Sequence, residues 1–206
     1  MLRSRPMRRA AACGWLTAVL AGLAAMIDRD VTPGEGAAPP SAYPREVLAP
    51  AATDRPTLLM FAHPRCPCTL ASLNELRQIL QTCPDAADVR IYFRTPATPS
   101  HEWMQTELWQ EAAALPDTTL VADTDGTIAK RFGVATSGHV LLYGTHGELR
   151  FSGGITGARG HAGDNAGRSA VVAILSGTST VGQRSSTFGC PLFDGKTHRK
   201  ETCCPP

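Results

Sequence analysis

The stretch that most constrains this chain is Phe61-Ala62-His63-Pro64-Arg65-Cys66-Pro67-Cys68-Thr69. An apolar run from Thr57 to Phe61 leads into it. A helical pattern leaves it, with Leu70, Leu73, Leu76, Ile79 and Leu80 on one face. Two cysteines therefore stand where a strand gives way to a helix. In an α/β fold that is the carboxyl end of a strand, where parallel sheets present reactive groups. It is also where the positive end of a helix favours an anion.

Local chemistry adds to this. Pro67 suits the first helical position, where its missing N–H costs nothing. A residue before proline is driven to extended geometry, which makes Cys66 the N-cap. A thiolate there faces unpaired backbone N–H groups, which favour the charged form. Arg65 and His63 add positive charge nearby. Cys66 is thus the expected attacking thiol and Cys68 the resolving one. A disulfide between residues two apart closes a tight, strained ring, and strained disulfides are oxidising. The expected couple is labile and suited to disulfide transfer or isomerisation.

Cysteine usage and the N-terminus bear on the compartment. The chain has 206 residues, seven cysteines and a net charge of +2. Cys13 lies in an N-terminal apolar stretch. The others, Cys66, Cys68, Cys83, Cys190, Cys203 and Cys204, form an even set, as in proteins of oxidising compartments. Arg3, Arg5, Arg8 and Arg9 precede an uncharged run from Ala10 to Ile27, which Asp28, Arg29 and Asp30 end. That run is long enough to cross a bilayer, and positive-inside logic puts the remainder outside the cytoplasm. Residues 1–30 read as an uncleaved signal anchor, with cleavage near Gly22-Leu23-Ala24 as the competing reading. Beyond the arginines the charge is nearly balanced, so no nucleic-acid footprint is present.

Residues 31–56 are rich in Pro, Ala and Gly and read as a linker, with a short edge strand at Arg45 to Leu48 as an option. Strands are expected at Thr57 to His63, Val89 to Arg94, Thr119 to Ala122, His139 to Tyr143 and Glu148 to Ser152. Helices are expected from Pro67 to Gln81, from Ser100 to about Leu115 with a core face of Trp103, Leu108, Ala112 and Leu115, and from Asp125 to Gly133. A last helix, capped by Asp164 or Asn165, carries Val171, Val172, Ile174 and Leu175. The domain spans 57–177, and 178–206 is a cysteine-containing tail. Alternating strands and helices imply parallel pairing, and the hairpin at Gly144 to Gly147 adds an antiparallel edge.

The order β-α-β, an α-β-α insertion, a hairpin and a helix resembles the thioredoxin-like fold. The insertion is similar to that of membrane-anchored thioredoxin-like proteins of bacterial envelopes and of peroxiredoxins. Motifs at 63–68, 136–138, 151–156, 159–168 and 188–193 resemble the bacterial RedB-like proteins. The resemblance implies an α/β fold with a central mixed sheet flanked by helices, after an N-terminal transmembrane helix. It implies protein thiols and disulfides of the cell envelope as partners, and a single-pass place in the bacterial inner membrane with the domain in the periplasm. It also implies that Arg65 and the loop Ser137, Gly138 and His139 contact substrate.

Two departures stand out against that pattern. The usual motif is Cys-x-x-Cys, but here the spacing is Cys-x-Cys, with Arg65 at the usual nucleophile position. A cis-proline normally precedes the hairpin strand, but Gly138 stands there. Alternatives stay open. Cys66 and Cys68 pair with distant thiols such as Cys83 or Cys190, or, with His63 or His139, bind Cu(I) or Zn. A non-catalytic interaction domain is the third. Otherwise no cofactor is expected. Asp123 to Gly126 reads as a turn and cap, and the Gly-rich segment Thr156 to Gly167 as a loop rimming the site.

Overall fold

The computed structural model describes residues 4–44, 54–98, 101–179 and 182–193. The chain divides into two units, Met1–Thr32 and Pro33–Pro206. The first holds helix α1 (Ser4–Val31). Its Arg8–Val31 stretch, of mean hydropathy 1.9, is long and apolar enough to cross a membrane.

The second unit is built on β1 (Thr57–Ala62), in which every residue is buried. A strand covered on both faces needs an unbroken apolar run, and Thr-Leu-Leu-Met-Phe-Ala supplies one. α2 (Pro67–Thr82) follows, then β2 (Asp88–Thr95), parallel to β1. A 3-10 turn (His101–Met104) and α3 (Glu107–Ala113) come next. β3 (Thr118–Thr124) pairs parallel with β2, and α4 (Thr127–Arg131) follows it. β4 (His139–Tyr143) and β5 (Leu149–Gly154) form the antiparallel hairpin. α5 (Ala166–Leu175) and a two-residue strand β6 (Gln183–Arg184) end the series. The sheet order is β3-β2-β1-β4-β5-β6, with β1 parallel to β2 and antiparallel to β4. This is the thioredoxin-like arrangement.

Side-chain alternation along β1 serves two cores. Leu58, Met60 and Ala62 join Leu73, Leu76 and Ile79 of α2 and Val171 of α5. Leu59 and Phe61 face Phe132, Tyr143 and Tyr43 on the other side. Tyr43 shows that part of the proline-rich segment lies against the domain. Its N–H donates to Gly147 at 2.7 Å, and Gly34 donates to Thr187 at 2.8 Å.

The expected single helix from Ser100 to Leu115 is two pieces. The Thr106 hydroxyl accepts from the Trp109 N–H and starts a new helix there. Ser100, the segment 45–48, Cys203 and Cys204 lie outside the described residues. Asp123 caps α4, its carboxylate accepting from Ile128 N–H at 2.8 Å and Ala129 N–H at 2.9 Å. Strand β6 and the extended segment after it were not expected. Polar and short, they carry no period for sequence reading to find.

Glu75 fixes the loop before α5. This carboxylate, fully buried on α2, accepts from the Gly163 N–H at 2.6 Å, Asn165 Nδ2 at 3.3 Å and Arg168 Nη1 at 2.6 Å. A buried charge must be paired and hydrogen-bonded. The Gly-rich motif at 159–168 therefore folds around Glu75.

Candidate active site

The junction after β1 is tied to the loop before β4 by hydroxyls. Ser137 Oγ accepts from the His63 N–H at 2.9 Å and shares a hydrogen bond with Thr69 Oγ1 at 3.1 Å. Thr69 Oγ1 also donates to the His63 carbonyl. Gly138 has φ +84° and donates its N–H to the Phe61 carbonyl at 2.7 Å. The described backbone contains no cis peptide bond. Glycine fits because a Cβ at 138 would sit 2.7 Å from Ser72 Oγ, in a left-handed conformation that side chains resist.

Cys66 is the N-cap of α2, extended at φ −92° and ψ 118°, with proline following. Its sulfur lies 2.7 Å from that of Cys190, 124 residues away. The sulfurs of Cys66, Cys68 and Cys190 all lie within 4.8 Å of one another. The strap 185–193 brings Cys190 in. Ser137 N–H donates to the Cys190 carbonyl at 2.8 Å, and Leu192 N–H donates to the Ala135 carbonyl at 2.7 Å. Thr136 and Pro191 thus form an antiparallel bridge. Arg159 Nη1 donates to the Gly189 carbonyl.

These contacts set the charge. Hydrogen bonds from the Cys190 thiol, then from the Cys68 thiol, hold Cys66 far below the usual thiol range, against burial. Cys66 makes no side-chain capping bond within α2, and the amides of Cys190 and Cys68 add smaller contributions. Donation to Cys66, then to Cys68, raises Cys190, and burial adds to this. For Cys68 the Cys190 contact lowers the pKa, but the Cys66 thiolate and burial outweigh it. Of the three, Cys66 is the thiol whose ionisation the cluster favours.

The remaining expected residues spread around this cluster. Arg65 is exposed, its guanidinium carbon 4.3 Å from the Trp103 ring centroid. His63 meets the same ring edge-on at 5.9 Å, and its Nδ1 accepts from the Arg65 N–H. Trp103, expected in the core, is thus a rim residue. The break in its helix turns it toward the site, a break that helical spacing alone does not signal. His139 is buried, with Nε2 on Ser152 Oγ at 3.0 Å and Nδ1 on Thr187 Oγ1 at 2.8 Å. Burial, and then Arg184, push its pKa down to about 4. Cys83 caps the far end of α2, about 26 Å along the helix from Cys66 by the usual rise per residue. It is a free thiol.

No protein-family model matches the chain, and no curated protein matches it. Solved structures do. An uncharacterised conserved protein from Geobacillus kaustophilus aligns at TM-score 0.56 and 16% identity, over 82% of this chain and 95% of its own. A hypothetical protein from Sinorhizobium meliloti 1021 aligns at TM-score 0.54 and 20% identity, over 79% and 94%. A secreted Mycobacterium tuberculosis disulfide oxidoreductase aligns at TM-score 0.42 and 17% identity, over 61% and 83%. The first two share the fold with this chain.

Proposed function

We propose that this protein is a thiol–disulfide oxidoreductase acting on protein thiols and disulfides at the cell envelope. The observation that carries the reading is the convergence of three thiols at the strand-to-helix junction, their sulfurs within 4.8 Å. Such a cluster exchanges disulfides when a thiolate attacks a disulfide sulfur of the partner and expels the partner's other sulfur as thiolate, and a second thiol within reach then resolves the mixed disulfide. Cys66 is the thiolate, and Cys68 in the first turn of α2 is its partner in the Cys-Pro-Cys pair. Arg65 over Trp103 presents a cation and an aromatic face to a polypeptide. Ser137 and Gly138 shape the loop beside the sulfurs, and His139 holds the end of that loop. The apolar Arg8–Val31 helix with its arginine flank supports a single-pass anchor in the bacterial inner membrane, with the domain in the periplasm.

Thiol trapping tests this. Full-length protein with Cys66→Ser or Cys68→Ser is compared with wild type for mixed disulfides captured after acid quenching and alkylation. The reading requires the pattern of trapped species to change in both variants. An unchanged pattern sinks it.

The same cluster favours a second reading. Three thiolates are a soft donor set suited to Cu(I) or Zn. Stoichiometric Cu(I) binding that is lost in both variants, without mixed disulfides in wild type, selects this reading over the first.

A further inference from the structure

The cluster contains one thiol more than disulfide exchange requires, and the three are not equivalent. Cys66 is 2% exposed, whereas Cys68 and Cys190 are partly exposed. The backbone of Cys190 is fixed on both sides by the Ser137 and Leu192 hydrogen bonds. The strap carrying it is held again at Gly189 by Arg159, and at Thr187 by His139 and Gly34. Its sulfur lies 2.7 Å from that of Cys66. Cys68, in the first turn of α2 and partly exposed, is the remaining thiol.

We propose that Cys66 and Cys190 form the internal disulfide of the oxidised protein, and that Cys68 is the thiol that exchanges with substrate. This rests on the oxidoreductase reading above. In the oxidising direction, Cys68 thiolate attacks Cys66. The Cys66–Cys190 bond breaks, a Cys66–Cys68 bond forms, and Cys190 departs and takes a proton. A substrate cysteine thiolate then attacks Cys68, which forms a mixed disulfide and expels Cys66 as thiolate. A second substrate thiolate attacks the first substrate sulfur, forms the substrate disulfide and frees Cys68. Two electrons pass from the substrate dithiol to the protein. Of the two substrate protons, one ends on Cys190 and one goes to water, while Cys66 remains a thiolate. A second protein disulfide, entering at Cys68 by the reverse steps, restores Cys66–Cys190. The favoured thiolate is the group expelled in the substrate step, where the leaving thiol's low basicity speeds exchange.

Tryptic mapping tests the proposal, because the two cysteines of the junction fall in one peptide, 66–77, and Cys190 in another, 185–196. Full-length protein is oxidised with oxidised glutathione, blocked with N-ethylmaleimide and digested. The expected product is the 66–77/185–196 cross-link, kept in Cys68→Ser and lost in Cys66→Ser. Turnover of a reduced dicysteine peptide should fall at least tenfold in Cys68→Ser. A looped 66–77 peptide without the cross-link overturns the proposal while leaving the oxidoreductase reading intact. So does a cross-link that survives in Cys66→Ser, or wild-type turnover by Cys68→Ser. No reversible disulfide among the three cysteines overturns both.

Discussion

Cys66 and Cys190 hold their sulfurs 2.7 Å apart across 124 positions of sequence. That closeness depends on a strap whose backbone pairs with residues 135–137 as a short antiparallel bridge. An extended segment thus delivers a cysteine to the N-cap of α2 by main-chain hydrogen bonds, as an added strand would.

The close approach of strap to loop should be breakable at one position. A Cβ at Gly189 would sit 1.9 Å from the Ser137 carbonyl oxygen, which is backbone and cannot swing aside. Gly189→Ala must push the strap outward. Overpacking of this kind costs about 1–3 kcal/mol, so the Cys66–Cys190 disulfide should lose roughly tenfold in its equilibrium with glutathione. Redox titration with quantified tryptic cross-link measures it, and an unchanged midpoint would show that the strap does not set the sulfur contact.

Glu75 should be the most sensitive charged position in the domain. Its buried carboxylate compensates Arg168 and satisfies Gly163 and Asn165. Glu75→Ala leaves Arg168 only its bonds to Asp164 and Gln78, and leaves the Gly163 N–H without this acceptor, at a cost of about 1–3 kcal/mol. Urea denaturation of the reduced protein should show this loss. Glu75→Gln, which keeps the volume and one acceptor, should lose less. Equal losses in the two variants would mean that packing, and not the ion pair, dominates.

Sequence reading reached the sheet order's ingredients because β1 and β4 carry apolar runs, β2 alternates with apolar Val89, Ile91 and Phe93, and α2 and α5 carry helical periodicity. It reached the Cys66 cap because proline restricts its predecessor locally. It named Cys190 only as one of the distant thiols open to Cys66 and Cys68, since nothing in Phe-Gly-Cys-Pro states which segment it will lie beside. That placement comes from main-chain hydrogen bonds between Ser137 and Cys190 and between Leu192 and Ala135, which have no periodic signature. Trp103 was misplaced for a related reason. Its apolar spacing fits a continuous helix, but Thr106 restarts the helix and leaves the indole to Arg65 and His63.

His139 should make stability fall in mild acid. Its folded pKa is depressed to about 4 from 6.5, first by burial and then by Arg184. A group with a depressed folded pKa contributes stability that is present above the unfolded value and is lost as pH drops through the folded one. The window therefore opens below pH 6.5 and closes near 4. The contribution at stake is roughly 3 kcal/mol at most. Comparing urea midpoints of wild type and His139→Asn across that window isolates it. The variant should show a shallower acid loss, and parallel curves would show that other groups carry it.

Gly138 yields the prediction that cuts against family expectation. Thioredoxin-like proteins usually place a cis-proline here, so Gly138→Pro looks like a restoration. The backbone says otherwise. φ at this position is +84°, far from the value near −65° that a proline ring imposes. The Gly138 N–H donates to the Phe61 carbonyl at 2.7 Å, and proline removes that donor. The Phe61 carbonyl would be left without this partner beside the junction, and the loop carrying Ser137 would have to rotate. Ser137 in turn holds His63, Thr69 and the carbonyl of Cys190. Gly138→Pro should therefore destabilise the domain by at least about 2 kcal/mol and slow formation of the Cys66–Cys190 disulfide. Thermal denaturation and cross-link mapping of the same sample measure the two effects. A variant as stable as wild type, with the cross-link intact, would mean that this loop accepts the cis-proline conformation after all.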